Sequence, residues 1–96
     1  MRITETAIPG LLVLDLDVHG DNRGWFKENW AGQALVPKQH NVSFNARRGA
    51  TRGMHAEPWD KWVSVATGRV FGAWVDMREG SATFGEKFTC EIGPDT

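Results

Sequence analysis

Turns punctuate this chain so closely that no segment sustains a 3.6-residue apolar repeat. Pro9-Gly10, Gly20-Asp21-Asn22 and Gly80-Ser81 all read as turns, and eleven glycines are spread over the length. The stretches between them are rich in β-branched and aromatic residues, which suit a pleated, half-buried surface. Leu11 to Leu16, Gly24 to Trp30, Trp62 to Ala66, Arg69 to Met77 and Phe84 to Ile92 are predicted strands, with shorter extended pieces at Asn41 to Asn45 and Thr51 to Met54. Thr67-Gly68 is a hairpin signal between two of them, and Gln33 to Pro37 reads as a helical turn. About seven short strands at this spacing predict an all-β sandwich or barrel.

A chain of 96 residues has room for one core, so one domain at most is expected. Hydrophobic residues at 41% and charged residues at 24% exclude a disordered chain and a coiled coil. The longest apolar run, Ile8 to Leu14, is broken by Pro9 and Gly10, far short of the roughly 18 residues needed to span a bilayer. No apolar signal core follows Arg2, and Cys90 is the only cysteine. One cysteine excludes an internal disulfide and a Cys-based zinc cage, and together these features predict a cytoplasmic protein. A net charge of −1 argues against a generic nucleic-acid binder. The charge is nevertheless uneven. From Asn29 to Ala56 there is no acid, while Lys38, His40, Arg47, Arg48, Arg52 and His55 all fall there. That stretch is either a solvated positive surface or an anion site, in which Arg serves as a bidentate donor to phosphate.

Gly49, His55, Glu57, Lys61 and Gly68 are spaced G-x5-H-x-E-x3-K-x6-G. This resembles the first motif of the cupin β-barrels, G-x5-H-x-H-x3-E-x6-G, whose two His and Glu are ligands in the metal-binding members. Here Glu57 replaces the second His and Lys61 replaces the Glu. An ammonium repels a dication and must lose its proton to ligate, so a metal-free site without cofactor is expected.

Further motifs narrow the resemblance. Ile8-Pro9-Gly10 before Leu11 to Leu14, the D-x-R-G-x-F-x-E run of Asp21 to Glu28, Gln39-His40-Asn41, Thr51-Arg52-Gly53-Met54-His55, Gly68-Arg69-Val70-Phe71, Val75-Asp76-Met77-Arg78 and Thr83-Phe84-Gly85 occur in that order. In kind and in order they resemble the dTDP-4-dehydrorhamnose 3,5-epimerase family. The resemblance implies a cupin-type barrel, a double-stranded β-helix or jelly roll, of which residues 1–96 would be the N-terminal part, cut before its C-terminal half. The run Glu91 to Thr96, a strand passing into a turn, fits that expectation, since a sheet stopping there keeps an unpaired edge.

The resemblance also implies roles. His55 would remove the proton beside the keto group, since an imidazole titrates near neutrality. Lys61 would stabilise the resulting enolate, and Asp76 would stand behind His55 as its partner. Arg23 and Arg52 would hold the diphosphate, Phe26 would stack near the base, and Glu28, Gln39 and Asn41 would contact nucleotide or sugar. The expected ligand is a dTDP-4-keto-6-deoxy-sugar and the expected assembly a homodimer, with no nucleic acid and no membrane.

Departures from the family pattern are equally specific. Ala56-Glu57 replaces Tyr-Gln or Phe-Gln after the histidine, and Val70-Phe71-Gly72-Ala73 replaces V-F-D-V. His55 to Lys61 resembles the epimerase-like part of chains fused to a dTDP-4-dehydrorhamnose reductase. The family's A-H-G-F segment, its Tyr proton donor and the Asp orienting its histidine belong to the second half, and this sequence has no Tyr. Two expectations stand side by side: a sugar-nucleotide epimerase, and a dTDP-sugar-binding module inactive as an isolated chain.

Overall fold

A computed structural model describes residues 1–96, and every regular element in it is a β-strand. The strands pair as three antiparallel hairpins. β1 (Arg2–Glu5) pairs with β2 (Leu12–Asp15), β3 (Val18–Asp21) with β4 (Gly24–Lys27), and β5 (Val70–Val75) with β6 (Lys87–Ile92). No helix of the structure is long and apolar enough to cross a membrane.

The chain divides into two compact units, residues 1–31 with 64–96 and residues 32–63. The first contains all three hairpins. Its first turn is closed by Thr6, whose hydroxyl accepts from the Ile8 N–H at 3.2 Å and donates to the Leu11 carbonyl at 2.8 Å. Across the β1–β2 ladder Arg2 faces Asp15, and the guanidinium grips the carboxylate at 2.8 and 3.0 Å. Ile8, Leu16, Val65 and Ile92 are its buried apolar residues. The Leu16 N–H donates to the Asp95 carbonyl at 2.8 Å, which ties the end of the first hairpin to the C-terminal segment. Lys27 donates to the Val65 carbonyl at 2.8 Å, and partial burial there pushes its ammonium below the ordinary lysine range.

The all-β expectation holds, while the strand list needs correction. Trp62 to Ala66, Asn41 to Asn45 and Thr51 to Met54 form no strand, Gln33 to Pro37 forms no helical turn, and Thr67-Gly68 joins no hairpin. A strand is a pairing, and β-branched composition supplies only the tendency. β5 pairs instead with β6 across the loop 76–86. β1 and β3 are strands that composition did not reveal, because Arg2–Glu5 and Val18–Asp21 are exposed at every residue. The second unit accordingly contains no regular strand, only turns such as the one in which the Ala50 N–H reaches the Arg47 carbonyl at 3.2 Å.

Gly72 is explained by its neighbours. A Cβ there would lie 2.4 Å from Trp74 Cη2 and 3.3 Å from Ile92 Cδ1, because the indole folds back over the glycine on the same face of β5. Trp74 in turn meets Phe88 across the ladder, with ring centroids 6.1 Å apart. Gly72→Ala forces the indole off its site, and overpacking of this kind costs about 1–3 kcal/mol. We expect a lower thermal midpoint for the variant in a melt followed by tryptophan fluorescence; an unchanged midpoint would show that the ring moves freely.

Candidate functional site

Arg23, Phe26, Glu28 and Asp76 belong to the first unit, and Gln39, Asn41, Arg52, His55 and Lys61 to the second. Of these nine, all but Asp76 are exposed.

Arg23 sits in the two-residue loop Asn22-Arg23 of the β3–β4 hairpin, whose last paired residues are Asp21 and Gly24. Asp21 turns the loop: its Oδ1 accepts from the Arg23 backbone N–H at 2.8 Å. The same carboxylate takes the guanidinium, with Nη2 to Oδ2 at 2.6 Å and Nε to Oδ2 at 3.1 Å. The contact with Arg23 holds the Asp21 carboxyl below the usual carboxylate range and lifts Arg23. Phe26, opposite His19 on the ladder, is 67% exposed, so its ring is open for stacking. A shallow cleft of about 190 Å³ is lined by His19, Asp21, Arg23, Gly24, Trp25 and Phe26. β4 stops at Lys27, so Glu28 lies one residue beyond the strand that was expected to carry it.

In the second unit Arg52 is held by neutral acceptors. Its Nε donates to Asn45 Oδ1 at 2.7 Å and its Nη2 to the Phe44 carbonyl at 3.1 Å, so its charge is not offset locally. An open cleft of about 420 Å³ is lined by Phe44, Asn45, Ala46, Arg47, Ala50, Thr51 and Arg52. Gly53, at φ +112°, brings the backbone round so that the His55 ring lies over it, with Cδ2 3.5 Å from where a Cβ would stand. Lys61 is paired with Glu57 one helical-type spacing back, ammonium to carboxylate. The two residues that depart from the cupin ligand set therefore engage each other. Gln39 and Asn41 lie exposed on the extended chain of this unit.

Asp76 is the one buried charged residue. It ends β5 and organises the loop to β6. Its Oδ1 accepts from the Arg78 backbone N–H and Nε, both at 3.0 Å, while Oδ2 accepts from Arg78 Nη2 at 3.1 Å, Ser81 Oγ at 2.7 Å and Thr83 Oγ1 at 2.6 Å. Arg78 foremost, then the two hydroxyls, hold its carboxyl far below the usual range.

Residue type and spacing give no role to Asp21, Asn45, Glu57, Ser81 or Thr83. Three signals were present: D-x-R twice, at Asp21 and Asp76, and Glu57 four residues before Lys61. Asn45 gave none, because its contact with Arg52 depends on the fold of the intervening turn.

The structure thus defines an all-β domain that exposes His55 and Lys61 and opens a cleft beside each of Arg23 and Arg52. Comparison with known proteins makes this specific. The profile of the family described as dTDP-4-dehydrorhamnose 3,5-epimerase matches residues 5–96, and the chain belongs to that family. It is 52% identical to "Protein RmlC homolog" of Streptococcus pyogenes, over 88% of this chain and 49% of that protein. It is 40% identical to a dTDP-4-dehydrorhamnose 3,5-epimerase of Neisseria gonorrhoeae, over 90% of this chain and 29% of that protein, and 36% identical to one of Pseudomonas aeruginosa, over 90% and 53%. The chain thus spans about half or less of the length of these relatives. No solved structure matches it significantly.

Proposed function

We propose that this chain carries the proton-abstracting part of a sugar-nucleotide 3,5-epimerase acting on a dTDP-4-keto-6-deoxy-sugar, as in L-rhamnose synthesis. His55 removes the proton beside the ketone. Lys61 stabilises the enolate oxygen, and sharing its ammonium with Glu57 leaves further N–H donors for the substrate. Arg23 and Arg52 hold the diphosphate and Phe26 stacks near the base. Glu28, Gln39 and Asn41 contact nucleotide or sugar, while Asp76, enclosed with Arg78, Ser81 and Thr83, holds the loop after β5. The observation that carries the reading is the family match over residues 5–96, which takes in every one of these positions. The cupin-type barrel is part of the proposal, as is a cytoplasmic site of action, supported by the single free cysteine.

The second reading, a module that binds a dTDP-sugar without turning it over, applies to residues 1–96 taken by themselves, which contain no Tyr. One experiment separates the two. The chain is incubated with dTDP-4-keto-6-deoxyglucose in heavy water and followed by NMR. Deuterium entering beside the ketone supports abstraction by His55, and binding without deuterium supports the module. Absence of binding overturns both.

The proposed assembly is a homodimer. Each sheet has only two strands, which is marginal alone, and Ile3, Trp25 and Phe71 expose 51%, 49% and 70% of their surface on them. Light scattering at micromolar concentration is expected to give twice the 10.7 kDa chain mass, and a monomer would refute this.

A further inference from the structure

The sequence contains two D-x-R turns, and the structure builds both the same way. In Asp21-Asn22-Arg23 and in Asp76-Met77-Arg78 the Asp side chain accepts the backbone N–H of the Arg two residues on, and its carboxylate also grips that Arg's Nε and Nη2. What differs is who else is served. The Asp76 side chain is wholly enclosed and takes Ser81 and Thr83 as well, so this turn is spent on its own loop. At the other turn the Arg23 side chain is 86% exposed at the mouth of a cleft. The carboxylate occupies the Nε–Nη2 edge of Arg23 and leaves the Nη1–Nη2 edge, the second bidentate face of a planar guanidinium, directed away from it.

We propose that Asp21 is the positioning residue of the diphosphate site, holding Arg23 in the orientation that offers its outer edge to a phosphate. This rests on the assignment of Arg23 under the proposed function. An acid beside an anion site has two opposed effects, and their sizes decide the sign. Ordering a free Arg side chain weakens a complex by up to about thirtyfold, and a carboxylate that pre-orders it removes much of that loss. Repulsion between the carboxylate and a diphosphate at roughly 7 Å, screened at physiological ionic strength, amounts to about threefold. Positioning therefore wins by about tenfold.

Charge alone predicts the reverse, so the test is one of direction. The 96-residue chain is titrated calorimetrically with dTDP and, separately, with inorganic pyrophosphate. Asp21→Asn keeps the acceptor for the Arg23 N–H and loses the charged grip, and it is expected to weaken both ligands by about tenfold. In an Arg23→Lys background there is no fork to position, so the same change is expected to strengthen binding by about threefold. Asp21→Ser, which keeps a turn-forming acceptor, serves if the Asn variant fails to fold. Binding by Asp21→Asn as tight as the parent, or an equal loss in both backgrounds, overturns the positioning role. If Asp21→Asn has no effect while Arg23→Ala still weakens binding, this inference alone falls. If Arg23→Ala leaves dTDP affinity unchanged, the diphosphate assignment falls and this inference with it.

Discussion

Lys61→Met lowers the rate of deuterium entry beside the ketone of a dTDP-4-keto-6-deoxy-sugar by about 10²–10³, the effect of removing one donor to a developing oxyanion. Methionine keeps an unbranched side chain only one atom shorter and discards the charge, so the loss reports on the enolate and not on packing. The fold tolerates the change. Lys61 and Glu57 form a partly exposed ion pair, and such pairs contribute about 0–1 kcal/mol. His55→Ala is expected to abolish exchange altogether, because no base remains. Net epimerised product stays slow even in the parent chain. Returning a proton on the opposite face calls for a positioned acid, which typically contributes about 10²–10⁴ in rate, and the sequence has no Tyr to supply it. The measurement is the NMR time course in heavy water. Exchange by Lys61→Met at the parental rate would remove Lys61 from the reaction.

The second large effect concerns stability against acid. Asp76 is held far below the ordinary carboxylate range by Arg78, Thr83 and Ser81 in the fold, whereas an unfolded chain returns it to about 3.9. A carboxyl depressed on folding stabilises fully above its unfolded value. That contribution is lost as pH falls from about 5, and the loss continues through the acid range because the folded value lies so low. Below about 3.9 the unfolded chain binds a proton that the fold does not, so acid favours the unfolded chain on account of this one group. Asp76→Asn loses the ion pair with Arg78 and must turn an amide N–H₂ toward some of the same donors. Breaking an enclosed network of this kind is among the more damaging single changes. We expect a lower thermal midpoint at pH 7 and a flatter dependence of stability on pH between 5 and 2, both read from the five tryptophans. A variant whose acid curve runs parallel to the parent would show that other carboxylates govern the transition. Asp21 and Asp17 shift in the same direction but are exposed, so they add less.

The sequence by itself determined the class and the family. Closely spaced turns and β-branched segments favoured strands over long helices, and the ordered motifs from Asp21 to Gly85 carried the family. These are local or linear properties, written in residue type and spacing. What only the tertiary structure decided was pairing. Trp62 to Ala66 has the composition of a strand and forms none, while Arg2–Glu5 and Val18–Asp21, exposed throughout, become strands because β2 and β4 lie alongside them. The same holds for the polar contacts. D-x-R occurs twice with one local geometry, yet the Asp76 turn is enclosed with Ser81 and Thr83 and the Asp21 turn is open to solvent. A hydrogen bond needs both partners within about 3 Å, and a strand needs a neighbour within about 5 Å. Sequence fixes which groups can meet those distances, and the path of the chain fixes which of them do.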